Sequence, residues 1–133
     1  MSNHQKTILK AFNQHFDEFV KDVQHVFPRN MEILSSKNAL YLIQKINPKL
    51  LIQFWKLYIS DKYKNEIEAG DIDFFIKRDY TQDIPESEKN QESEIIKTIE
   101  SIRKPLIEMD EENLKKVIEY LQNLTQLCSL YFA

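Results

Sequence analysis

The sequence predicts an all-α protein, a single-domain bundle of five or six helices around one long central helix. The chain has 133 residues, which is the length of one domain, and 42% of them are hydrophobic, which is enough for a core. One Gly and four Pro are too few for the tight turns of a protein with many strands. Apolar residues recur at spacings of three and four, which places them on single helix faces.

The first two helices are predicted from apolar spacing and from start and stop signals. Helix 1 is expected over residues 7–27, where Pro28 ends it. Its predicted apolar face consists of Ile8, Phe12, Phe16, Phe19, Val20, Val23 and Phe27. Helix 2 is expected over residues 30–46 or 36–46, since Ser35 and Ser36 can interrupt it and either can cap a helix start. Its predicted core residues are Met31, Leu34, Leu40, Ile43 and Ile46.

The central helix is predicted over residues 47–69. Asn47 is the expected N-cap, and Pro48 suits the first helical position because its missing N–H costs nothing there. Gly70 suits the left-handed conformation that often follows a last helical turn. The predicted apolar stripe consists of Leu51, Phe54, Trp55, Tyr58, Ile59 and Ile67.

Two packing predictions follow for this helix. Ile46 and Leu51 have the spacing of a hydrophobic staple at its start. Phe54 and Trp55 point about 100° apart on a helix, so the stripe is wide enough to pack against neighbours on two sides. We therefore expect Trp55 in the core, between residues 8–19 and the final helix.

The rest of the chain is predicted as a short turn, a loop and a helical hairpin. Asp71 can cap a helical turn through Ile76, so that residues 1–77 hold four helices. Residues 78–92 are almost all polar and are the predicted loop. The hairpin covers residues 93–133, with Pro105 kinking or ending its first helix and Asp110 capping its second.

The sequence offers no strong signal for catalysis, a cofactor or a metal. The single Cys128 excludes an internal disulfide, and its apolar neighbours indicate a buried, inert thiol. No glycine-rich phosphate loop and no metal-binding histidine motif is present. Asp71, Asp73 and Asp79 are the best candidate cation ligands, but a helix cap and two solvated carboxylates explain them more simply. We therefore predict no catalytic, cofactor or metal residues.

Three function classes stay open from the sequence. The first, which we favour, is a non-enzymatic interaction or structural protein that binds an unidentified protein through the exposed part of residues 72–80 or through the final helix. Its candidate contact residues are Phe74, Lys77, Arg78 and Tyr80. The second is a nucleic-acid-associated factor that uses Lys56, Lys62, Lys64, Lys77 and Arg78, although a net charge of −3 argues against it. The third is an enzyme with a metal on the aspartate trio.

The order of motifs resembles a family of short proteins, without an assigned role, from large DNA viruses of algae and other protists. The segments that carry it are NPKLLIQFWKLYI, GDIDFFIKRDY, IRKPLIEM and NLTQL, and the resemblance covers residues 12–131. It implies a virus-encoded protein of the host cytoplasm or the virion, and it implies no catalytic residues. The polar N-terminus lacks a signal-peptide core and no apolar run reaches membrane-spanning length, so we expect a soluble intracellular protein with no membrane partner.

Overall fold

The computed structural model describes residues 2–77 and 91–133, and for Lys77 and residues 91–93 it describes the backbone alone. This part of the chain contains helices and no strand, which confirms the all-α prediction. The elements are α1 (Asn3–Val26), α2 (Met31–Ile46), α3 (Leu50–Trp55), a π-helical turn (Lys56–Ser60), α4 (Asp61–Glu68), α5 (Asp73–Lys77), α6 (Gln91–Leu106) and α7 (Glu111–Tyr131). Since α3, the π turn and α4 follow one another without a break, the described residues form six helices around one core.

Helix α1 begins earlier than residue 7, where its start was predicted, because a capping box fixes its first turn. The Ser2 hydroxyl accepts from the Gln5 N–H at 3.1 Å, and the Gln5 side chain accepts from the Ser2 N–H at 3.3 Å. The last helical residue is Val26, two positions before Pro28. The predicted apolar face is buried except for Phe27, which is the C-cap and only partly buried. Leu9, which was not predicted, joins Ile8, Phe12, Phe16, Phe19, Val20 and Val23 in the core.

Helix α2 begins at Met31, and Asn30 is its cap, since the Asn30 side chain accepts from the Ile33 N–H at 3.1 Å. Ser36, the alternative start, is buried inside the helix. The predicted core face is partly wrong, because the buried residues are Ile33, Ser36, Leu40 and Ile43, whereas Met31, Leu34 and Ile46 are exposed.

The predicted start of the central helix is also wrong. Asn47 ends α2 instead of capping α3: its N–H donates to the Ile43 carbonyl at 2.8 Å. Pro48 lies in the turn that follows, and the helix begins at Leu50. The staple does not form either, because Ile46 is 76% exposed while Leu51 is buried.

The central helix is bent, and its end is as predicted. Tyr63 has non-helical angles (φ −127°, ψ 16°) within α4. Gly70 has φ +77°, its N–H donates to the Ile67 carbonyl at 3.0 Å, and the Asp71 N–H donates to the Glu66 carbonyl at 2.9 Å. These two hydrogen bonds form a Schellman motif, which requires a left-handed backbone conformation at residue 70. The only glycine of the sequence occupies this position.

Trp55 lies at the centre of the core, which confirms the predicted position. Its side chain is fully buried, and its ring makes edge contacts with Phe12 and Phe16 of α1, at centroid distances of 6.2 and 5.9 Å. The indole Nε1 donates to the Thr125 hydroxyl of α7 at 3.1 Å. Its neighbours are therefore the first and the last helix, as expected.

Helices α1 and α7 run antiparallel and form the most extensive contact among the described helices. The Gln5 side chain donates to the Tyr131 carbonyl at one end of the pair, and the Tyr120 hydroxyl donates to the Asp22 carboxylate nearer the other. Partial burial, and then the Asp22 carboxylate, raise the pKa of Tyr120. Asp110 caps α7 by accepting from the Asn113 N–H at 2.8 Å, as predicted.

Helix α6 joins both α5 and α2 to the bundle. Its predicted inner face is buried, and Pro105 lies in its last turn, so the helix ends one residue later. The Arg103 guanidinium donates to the Ile76 carbonyl, which ties α5 to α6, and Phe75 of α5 is buried beneath. Among residues 2–77 and 91–133, none of the helices combines the length and apolar character that a bilayer span requires.

Candidate interaction surface

Helix α2 carries apolar side chains on both of its sides. One side packs into the core through Ile33, Leu40 and Ile43. The other side, which we call the α2 face, presents exposed side chains of Met31, Leu34, Tyr41, Leu42 and Ile46. A surface helix of a globular protein normally keeps polar residues on the side away from the core. Packing of the core therefore does not explain why the α2 face is apolar.

The geometry of a helix explains how the two sides coexist. Leu42 follows Ile33 by nine residues, which turns it about 180° around the helix axis, directly away from the core. The exposed fractions are 76% for Ile46, 69% for Met31 and 59% for Leu42. Ten large apolar side chains are exposed on the described residues, and five of them belong to this helix. Single exposed apolar residues are ordinary, but a row of them on one helix marks a contact surface.

A groove of about 580 Å³ between α1 and α2 borders this face. Its walls include Leu9 and Pro48, and Tyr41 belongs both to the groove and to the α2 face. Buried Oδ1 of Asn13 has no hydrogen-bond partner there, although Nδ2 donates to the Pro48 carbonyl at 2.9 Å. Asp17 lines the same groove, and burial raises the pKa of its carboxyl group. A hydrogen bond with the Gln44 side chain lowers this pKa by a smaller amount. The groove widens the apolar surface at the C-terminal half of α2.

Charged residues lie at the two ends of the α2 face. Glu32 is near its N-terminal end, and its carboxylate is 3.6 Å from Nζ of Lys104. Lys45 is near its C-terminal end, with Nζ over the Tyr41 ring at 4.6 Å from the centroid. The face thus has an acidic residue at one end and a basic residue at the other.

The contact residues predicted from the sequence lie elsewhere. Phe74 is only partly exposed, and its ring stacks on Tyr63 at a centroid distance of 4.6 Å, so its observed contact is with the core. Lys77 is the last residue of α5, with its side chain outside the described atoms, and Arg78 and Tyr80 lie outside the described residues. The prediction for these three residues stays a prediction.

Within the described residues, the candidate cation ligands and the single cysteine have structural roles. The Asp71 carboxylate accepts from the Asp73 N–H at 3.1 Å, which is the predicted capping role, and Asp79 lies outside the described residues. No group of three His, Cys, Asp or Glu side chains with metal-binding geometry occurs within residues 2–77 and 91–133. Cys128 is buried, and burial raises the pKa of its thiol to about 12, so the thiolate is scarce at neutral pH.

Two of the lysines proposed for nucleic-acid contact are engaged with other side chains. Lys56 Nζ donates to the Asp61 carboxylate at 2.9 Å, and Lys62 Nζ lies 6.0 Å from the centroid of the Tyr58 ring. Lys64 lines a polar cleft between α4 and α7 together with Glu68 and several amides. Three lysines whose neighbours include carboxylates and an aromatic ring do not form a continuous basic track of the kind that follows a phosphate backbone.

No protein-family model matches the chain, and no curated protein or solved structure matches it either. The resemblance to viral proteins therefore stays a prediction. The surface residues that the sequence reasoning missed are Tyr41 and Leu42, which it did not assign. Ile33, Ser36, Leu40 and Ile43 have the 3-4-3 spacing of a core face, but Met31, Leu34 and Ile46 also have helical spacing, so this signal competes with another.

Proposed function

We propose that the protein acts by binding another protein through the α2 face and carries out no catalytic step of its own. The observation that supports this best is the row of five exposed apolar side chains opposite the buried side of α2. Complete burial of a Leu, Ile or Met side chain by a partner is worth about 1.5–3 kcal/mol. Met31, Leu42 and Ile46 are the most exposed of the row and therefore have the most area to bury.

The test compares two matched double variants of the full chain. Leu42→Glu with Ile46→Glu places charge on the α2 face. Leu57→Glu with Ile107→Glu is the control, because these residues have nearly the same exposure (57% and 71%) but lie on the π turn and after α6. All four side chains are exposed, so both variants should melt within a few degrees of the wild type.

Binding is then measured by affinity capture from the native cells with each tagged chain, quantified by mass spectrometry. We expect a protein captured by the wild type and by the control, and at least tenfold less of it with Leu42→Glu and Ile46→Glu. Capture that all three chains share equally would show that the α2 face is not the contact surface. Capture of nucleic acid that salt removes would favour the accessory-factor role.

A further inference from the structure

The groove between α1 and α2 is positively charged, although the protein as a whole is acidic. Its walls carry Lys6 and Lys10 from α1 and Lys45 from α2, and Asp17 is the one acidic residue among the described residues that line it. Three lysines and one aspartate give the groove a formal charge of +2, whereas the whole chain has a net charge of −3. A local charge of this sign attracts an anionic partner to this part of the surface.

The lysine charges of the groove are available to such a partner. Lys6 and Lys10 are exposed and lie one helical turn apart, so their ammonium groups can contact neighbouring carboxylates of one ligand. Within residues 2–77 and 91–133, neither of these ammonium groups forms an ion pair. Lys45 Nζ lies over the Tyr41 ring, a contact that leaves its charge in place. The groove therefore presents cations that can pair with carboxylates from outside the chain.

The length of the groove fits an extended peptide segment. Lys6 and Asp17, which both line it, are 11 positions apart on α1, which corresponds to about 16 Å along the helix. An extended chain advances about 3.3 Å per residue, so about five residues span this length. A segment of this kind places successive side chains on opposite sides, so acidic and apolar side chains can contact different parts of the walls.

The walls of the groove favour a peptide over a phosphate backbone. Leu9, Tyr41 and Pro48 provide apolar contact area, which suits apolar side chains. Gln14 adds an exposed amide, and an amide can both donate to a peptide carbonyl and accept from a peptide N–H. Tyr41 also belongs to the α2 face, so a protein that covers this face can reach the groove without a gap.

We infer that the groove between α1 and α2 binds an acidic segment of the partner protein, about five residues long and extended, with its carboxylates at Lys6, Lys10 and Lys45. This inference rests on the proposed function, in which the partner covers the α2 face, and it adds the chemistry of the segment that lies beside that face. Opposite charges across an interface raise the association rate and fix the register of the two partners.

Selection from a phage-displayed library of random heptapeptides tests the groove by itself. The targets are three full chains: the wild type, Lys6→Glu with Lys10→Glu, and the control Lys115→Glu with Lys116→Glu. The control changes the net charge equally at two exposed lysines of α7, which do not line the groove. All four side chains are on the surface, so both variants should keep the stability of the wild type.

Peptides selected on the wild type and on the control should be enriched in Asp and Glu, together with apolar residues, relative to the unselected library. On Lys6→Glu with Lys10→Glu this acidic enrichment should be lost, because the reversed charges repel carboxylates. A wild type that selects no acidic peptides, or a variant that selects the same ones, would overturn the inference.

Fluorescence anisotropy with the most enriched peptide, made with a fluorescein label, measures the strength of binding. The Kd should rise by at least about tenfold on Lys6→Glu with Lys10→Glu and should also rise with salt, because salt screens exposed charges. Unlabelled peptide should displace the labelled one. Displacement by an oligothymidylate of equal charge that is as good as displacement by the peptide would show a nucleic-acid site and overturn the inference.

Affinity capture from the native cells separates this inference from the proposed function. Lys6→Glu with Lys10→Glu should capture at least about tenfold less of the partner than the control chain Lys115→Glu with Lys116→Glu. Full capture by the Lys6 and Lys10 variant, with loss on Leu42→Glu with Ile46→Glu, would overturn the role of the groove and leave the α2 face as the contact surface. Equal capture by all chains would overturn the proposed function.

Discussion

The hydrogen bond between Trp55 and Thr125 should make a measurable contribution to stability. Both side chains are buried, so Thr125→Val would leave the indole N–H without its acceptor and away from water. Valine has nearly the shape of threonine, so little packing is lost with the hydroxyl. An unsatisfied buried donor costs about 1–3 kcal/mol, and we expect the free energy of unfolding to fall by that amount. For a domain of this size each kcal/mol lowers the melting temperature by about 4 °C.

The measurement is urea unfolding followed by far-ultraviolet circular dichroism, in a double-mutant cycle with Trp55→Phe. In the Trp55→Phe chain no indole donor remains, so Thr125→Val should cost at least about 1 kcal/mol less than in the wild type. Thr98→Val is the control, because this buried hydroxyl donates only to the Glu94 and Ser36 carbonyls, which lie inside helices. Equal costs of Thr125→Val in both backgrounds would refute the assigned role of the bond.

Three further changes test the fold. Trp55→Ala should lower the free energy of unfolding by about 3–5 kcal/mol, measured by urea unfolding, because a fully buried ring is lost; a loss below about 1 kcal/mol would contradict its central position. Gly70→Ala should cost about 1–2 kcal/mol by thermal unfolding, because φ is +77° there, while an added Cβ would lie 3.8 Å from Ile118 without a clash. For Cys128, the pKa of the thiol is near 9.0 in the unfolded chain and about 12 in the folded one, so the unfolded state binds fewer protons between these pH values. The free energy of unfolding of the wild type should therefore fall relative to that of Cys128→Ala as pH rises from 9 to 12. Parallel plots of unfolding free energy against pH for the two chains would contradict the raised pKa.

Most helices were predictable because their ends carry side chains with specific capping chemistry. Asp110 and Gly70 perform the predicted roles, and the inner face of α6 follows from an unambiguous three-and-four spacing of isoleucines. Asn47 shows the limit of this reasoning. An Asn–Pro pair suits the start of a helix, but Asn47 directly follows α2 and serves as its C-cap. Local sequence alone does not show which of two adjoining helices such a residue serves.

The α2 face was not predictable in the same way. Helix α2 has apolar residues all around its axis, so spacing alone cannot select the side that packs against α1 and α6. The choice depends on tertiary neighbours: α2 packs against α6, where the Thr98 hydroxyl donates to the backbone carbonyl of the buried Ser36 at 3.3 Å. That contact links residues 62 positions apart in the chain. The same ambiguity hid the surface on which the proposed function rests.

The π turn determines where the central helix can lose one residue. Leu51, Trp55, Ile59, Tyr63 and Ile67 follow one another at intervals of four, and all are at least partly buried. On a straight α-helix each interval of four advances about 40° beyond a full turn, so the row would rotate by about 160° between its ends and leave the core. The wider π turn and the bend at Tyr63 absorb this rotation. Deleting one residue within 56–60 would turn the π turn into an ordinary helical turn and keep Ile67 facing inward. A deletion within the regular turns of α1 or α7 would instead rotate every later side chain by about 100°.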